Sequence, residues 1–147
     1  MIGEILAAVI GTVSFSLLFG VPRKEYPWCG LIGGAGWAVY LLAVSVWGDT
    51  GAVLAAAVVV VFLSRLAAVG KECPVTIFLI SGIFPLVPGA GVYWTVYYIV
   101  TDELSLAVQH GYMAVKTAVA IVLGIVFVFE LPQGIFRFLM GKRVRTR

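Results

Sequence analysis

Val75 to Val100 is a run of 26 residues without a charged side chain, and its middle reads Phe84-Pro85-Leu86-Val87-Pro88-Gly89-Ala90-Gly91-Val92-Tyr93. A run of that length and apolarity crosses a bilayer as helix, because each unsatisfied backbone N–H or C=O in hydrocarbon costs several kcal/mol. Here two prolines remove two N–H donors and two glycines loosen the chain within seven residues. A lone proline kinks a helix; four such residues together unwind it. Non-helical chain at that depth persists only where protein or a water-filled cavity surrounds it. The run therefore predicts a half-helix ending near Phe84, a second starting near Gly91, and between them either a cavity or a kink sealed by neighbouring helices.

The rest of the chain has the same character. Of its 147 residues 62% are hydrophobic and 12% charged, against about 25% charged in soluble domains, and the mean hydropathy is +1.10. Five apolar stretches, about 2–20, 28–47, 52–69, 75–100 and 105–129, are cut by Val21–Pro27, Gly48-Asp49-Thr50-Gly51, Gly70–Pro74 and Thr101-Asp102-Glu103. Proline, glycine and charge punctuate these cuts as turn chemistry requires. The first stretch carries Glu4 and no preceding Lys or Arg, the reverse of a secretion signal, so it reads as a span. The fold class predicted is an all-α integral membrane protein of about five transmembrane helices, the fourth broken at Pro-Leu-Val-Pro-Gly-Ala-Gly. Residues 1–132 form one transmembrane domain and 133–147 an interfacial segment with a basic tail.

Charge gives an orientation, since Lys and Arg in short loops stay in the cytoplasm. With five helices, Arg23, Lys24, Arg65, Lys71, Arg137, Lys142, Arg143, Arg145 and Arg147 fall on one side, nine of the ten basic residues. Glu4, Asp49, Asp102 and Glu103 fall on the other. The N-terminus is expected outside and the C-terminus inside, with Trp28 and Trp47 at the two interfaces of the second span. The net charge of +3 and the basic tail are then explained by orientation and contact with anionic lipid, not by nucleic acid. Cys29 and Cys73 map to the cytoplasmic side as reduced thiols, and no metal-ligand spacing links them to His110.

Gly3, Ala7 and Gly11 recur every fourth residue, as do Gly30 and Gly34 beside Gly33 and Gly36. Small residues at that spacing let helix backbones approach closely in lipid, within one bundle or across a dimer face. The third stretch, from Ala55 to Val61, names no face because every residue in it is apolar.

Candidate site residues begin with Pro85, Pro88, Gly89 and Gly91, because a half-helix starting at the break points free N–H groups and its positive end toward the midplane. Gln109, Tyr112 and Lys116 lie at i, i+3 and i+7 on one face of the last span. Lys116 is the only basic residue outside the cytoplasmic set. A lysine in a bilayer either faces a cavity or partner charge or snorkels to the interface. Tyr93, Thr95 and Tyr97 follow the break and supply hydroxyls to a cavity or sit as interfacial aromatics; His110 reads as an interface residue. No phosphate-cradling loop and no Ser/His, Asp/Asp or metal constellation stands at membrane depth, so neither enzyme activity nor a cofactor is expected.

Phe19-Gly20-Val21-Pro22-Arg23-Lys24, then Trp28-Cys29-Gly30-Leu31-Ile32-Gly33-Gly34-Ala35-Gly36-Trp37, then the proline-bounded Phe84–Tyr93 motif, resemble the threonine/serine exporter (ThrE) family, specifically its small membrane component. The resemblance runs over nearly the whole chain. It implies a bacterial inner-membrane exporter of small hydrophilic metabolites such as threonine, serine or succinate. It also implies a larger membrane subunit of the same family as partner, because two-gene members divide the exporter between two proteins and this chain matches only the smaller half. Alternatives that the residues leave open are a non-transporting assembly subunit and a channel.

Overall fold

The computed structural model describes residues 1–139, and its regular elements among them are all helical. They are α1 (Ile2–Leu18), α2 (Tyr26–Lys71), α3 (Val75–Ile83), α4 (Gly89–Val100), α5 (Leu104–Phe129) and α6 (Gln133–Leu139), with short 3-10 turns at Arg23–Glu25 and Phe84–Leu86. The basic tail residues Lys142, Arg143, Arg145 and Arg147 lie outside the described residues.

At 46 residues α2, if straight, would extend about 69 Å at 1.5 Å per residue, twice the thickness of hydrocarbon. It is not straight. Gly48 has φ 67° and ψ 178°, a left-handed value open to glycine without Cβ strain. Two contacts show that the chain reverses there: a Cβ added at Gly36 would fall on the Val60 side chain, and the Lys71 ammonium lies 4.9 Å from the Trp28 ring. Limbs 26–47 and 49–71 are therefore antiparallel. The four-residue loop expected at 48–51 contracts to one non-helical residue, and the Tyr40 hydroxyl donates to the Asp49 carboxylate at 2.6 Å beside the turn.

Limb 49–71 is the axis of the bundle. Ala52, Val53, Ala56, Ala57, Val60, Val61, Ser64 and Arg65 are all buried, a two-residue-wide stripe recurring every fourth position. Where every face of a helix is apolar, the sequence does not reveal which stripe turns inward. Helices α1, α3 and α5 all pack on α2. Small side chains permit this: Cβ positions on Gly124 of α5 and Gly82 of α3 would stand 2.8 Å from Ala57 Cβ and 2.9 Å from Ile32 Cγ2.

Of the two small-residue stripes, one packs and one does not. Gly30, Gly33 and Gly34 receive Val9, Val13 and Thr12 of α1. On α1 itself the buried face is Ala8, Thr12 and Ser16, whereas Gly3 and Gly11 meet nothing within 4 Å. The knobs come from α1 and the holes from α2, so a second row of glycines is not needed at that contact. Thr12 and Ser16 satisfy their buried hydroxyls on the carbonyls of Ala8 and Thr12, each at 2.8 Å.

By length and composition α2 and α5 can cross a bilayer, and the pair α3–α4 adds a third crossing if its bend lies inside one span. Helix α1 has 17 residues, about 25 Å. The outside is studded with large apolar side chains, including Leu42, Val46, Val100, Val108 and Val115, the surface that lipid covers and water does not. Trp28 and Trp47 are both exposed at opposite ends of limb 26–47. The protein is an all-α membrane protein.

Candidate functional site

The break is tighter than the residues alone imply. Pro85 stands at the start of the 3-10 turn Phe84–Leu86, where its missing N–H is not needed. Pro88, with φ −75° and ψ 53°, has the angles of the central residue of an inverse γ-turn, and Gly89 N–H donates to Val87 C=O at 2.7 Å to close it. Only Val87 and Pro88 lie outside helix or 3-10 geometry, and the two halves meet at 51°. The Phe84 ring is packed 3.4 Å from the Phe15 ring of α1, centroid to centroid.

The two halves have unlike surroundings. Helix α3 is interior, with Phe78 fully buried, whereas α4 has no buried residue and packs on α5. Gly91 serves that packing: a Cβ there would meet Ala114 Cβ at 3.2 Å. Gly89 is different, since a Cβ there meets nothing within 4 Å. Tyr93 is exposed and stacks with Trp94 and Tyr97, at 5.3 and 6.4 Å between centroids. His110 stacks on Tyr98 at 5.3 Å, and Thr95 donates to the Gly91 carbonyl at 2.6 Å.

Tyr112 and Lys116 lie together in a groove of about 350 Å³ between α5 and the start of limb 49–71, lined also by Thr50, Gly51 and Leu54. Gln109, also exposed, is not among the groove's lining residues. Lys116 and Ala114 are two residues apart, about 200° around the helix. Because Ala114 faces the break, Lys116 points away from it toward the Gly48 turn. The residues expected to converge are thus divided between two faces of α5.

The largest cavity is elsewhere, at the end of the bundle where α2 finishes, α3 begins and α5 meets α6. It has a volume of about 1010 Å³ and is lined by Arg65, Glu72, Cys73, Pro74, Glu130, Gln133 and Phe136 among others. Arg65, 8% exposed, belongs to the bundle's buried set. Its Nη1 donates to the carbonyls of Val128, Phe129 and Leu131, the last at 2.8 Å. These are the orphan acceptors at the C-terminus of α5, and a cation there also complements the helix dipole. The guanidinium carbon lies 4.2 Å from the Phe136 ring centroid and 5.4 Å from that of Phe129. Reading Arg65 as a marker of orientation hid this role. The available signal was position: Ser64-Arg65 stands six residues before Lys71, inside an apolar stretch.

A second buried polar group was also missed. Glu25 is 2% exposed, with Lys24 Nζ 4.0 Å from Oε1 and no partner for Oε2 among the described residues. Cys29 is buried and donates to the Ile77 carbonyl at 3.7 Å. No group of three or more metal-ligating side chains occurs among the described residues.

No solved structure matches the chain. The sequence profile described as "Threonine/Serine exporter, ThrE" matches residues 4–130, from the first turn of α1 to the end of α5. An all-α membrane bundle with an interrupted helix pair, matched over that length, belongs to the threonine/serine exporter family, a family of transporters.

Proposed function

We propose that this chain is a transporting subunit of a two-component exporter for small hydrophilic, carboxylate-bearing metabolites, threonine and serine or a succinate-like dicarboxylate. It crosses the bacterial inner membrane five times, with the N-terminus outside and the C-terminus in the cytoplasm, and works with a larger membrane subunit of the same family. Export is driven by an ion or proton gradient. The observation that carries the reading is the 51° interruption between α3 and α4. It joins a buried half-helix to a peripheral one, as a segment does when it must change its packing while a substrate passes. Pro85, Pro88, Gly89 and Gly91 form the hinge of that segment, and Tyr93, Gln109, Tyr112 and Lys116 line the outer part of the route.

The exposure of Tyr93, Gln109 and Tyr112 also supports a second reading, in which these residues contact the larger subunit and this chain only assembles the complex. Efflux of labelled threonine, serine and succinate from vesicles containing both subunits separates the two. Lys116→Ala and the double replacement Pro88→Ala, Gly89→Ala are expected to slow efflux at unchanged protein level. Efflux at the parent rate in both variants would sink the transporting role.

A further inference from the structure

We infer that the cleft around Arg65 is a binding site for a zwitterionic α-amino acid, its carboxylate on the guanidinium and its ammonium group at Glu130 and Glu72. The inference deepens the exporter reading, in which this end of the bundle is the loading side. Charge in the cleft is arranged by depth: Arg65 is buried, whereas Glu72 and Glu130 are exposed and line the same cavity. Arginine has five N–H donors, two of them on Nη1. The bonds to the α5 carbonyls run from Nη1, so they leave the donors on Nε and Nη2 for a carboxylate. Fixed carbonyls and two phenyl rings hold the guanidinium plane in place, and a preorganised fork loses little freedom when it binds.

The structural role of Arg65 as a cap for α5 accounts for the arginine but not for the carboxylates. Glu130 makes no part of that cap through its side chain; among the described lining residues the cleft holds one cation and two carboxylates. A ligand with one charge of each sign complements that set. A dicarboxylate places its second carboxylate among like charges, which opposes binding. Gln133 adds a neutral donor and acceptor suited to a side-chain hydroxyl. The cavity volume of about 1010 Å³ is at the upper end of the range of about 300–1,000 Å³ for small-molecule sites, so the ligand enters with water.

The test is equilibrium binding of labelled L-threonine to the purified full chain in lipid nanodiscs, with competition by L-serine, succinate, 3-hydroxybutyrate and 1-aminopropan-2-ol. Serine is expected to compete like threonine, and the three ligands lacking one charge or carrying two negative ones about tenfold or more weaker. Glu130→Gln and Glu72→Gln, both at exposed positions, are each expected to weaken threonine about tenfold without weakening succinate. Unchanged threonine affinity in the double variant, tighter binding of succinate than threonine, or no binding to the parent chain would each overturn the site. Efflux from vesicles holding both subunits keeps the two readings apart. Parent-rate efflux by the double variant overturns the site and leaves the exporter standing, whereas absence of efflux by the parent overturns the exporter and leaves the binding result intact.

Discussion

Arg65 shows how much one side chain can carry when its surroundings are dry. Three carbonyls at the end of α5 and two aromatic rings depend on one guanidinium. Hydrogen bonds to a charged group contribute about 1.5–3 kcal/mol, so Arg65→Ala is expected to destabilise the purified protein by about 2–3 kcal/mol. Thermal unfolding in detergent measures this, and a midpoint equal to the parent's would remove the capping role. A paired test at the same scale uses the glycines. Gly36→Ala drives a methyl into Val60, a stiff and fully buried side chain, and is expected to cost about 1–3 kcal/mol. Gly3→Ala has open space and is expected to leave stability unchanged or slightly raised. Equal effects at the two positions would show that the glycine rows do not pack as described. Sequence placed both glycines in small-residue rows; only the direction each faces separates them.

At the scale of elements the two interruptions differ in kind. Gly48 is a reversal set by one left-handed residue, so Gly48→Ala is expected to cost about 1–2 kcal/mol through Cβ strain alone. The break at Val87 and Pro88 is a bend of 51° whose residues keep ordinary negative φ values. Gly89→Ala introduces no clash, so it is expected to unfold like the parent while slowing efflux in the two-subunit vesicles. Parent-rate efflux in that variant would assign the glycine no part in motion. The proline-glycine motif announced an interruption in the sequence, and an interruption is there. Its length was overestimated because prolines at the first position of a helical turn sacrifice no hydrogen bond, and the γ-turn at Pro88 lets α4 resume at once.

At the scale of the whole molecule the charge asymmetry makes the sharpest forecast. The Lys71, Glu72 and Glu130 end of the bundle is expected to face the cytoplasm, and the Gly48 turn and the α4–α5 connection the outside. Single cysteines at Asp49 and Asp102, placed in a background with Cys73→Ser, should react with a membrane-impermeant thiol reagent applied to intact cells. Cys29 needs no replacement because it is buried. Reaction only after the membrane is opened would reverse the orientation and move the Arg65 cleft to the outer face.

The sequence by itself determined that the chain lives in a membrane, that it is helical, where its turns fall and that one helix is interrupted. Those properties follow from local composition and from the cost of unpaired backbone in hydrocarbon, which act on each segment separately. Tertiary structure alone decided which helix is the axis, which glycine row packs, that Lys116 turns away from the break, and that Arg65 joins Glu72 and Glu130 around a cavity. In a chain where nearly every residue is apolar, hydropathy gives a helix no inward side. The inward side is chosen by close fit between helices, and that fit is a relation among segments far apart in sequence.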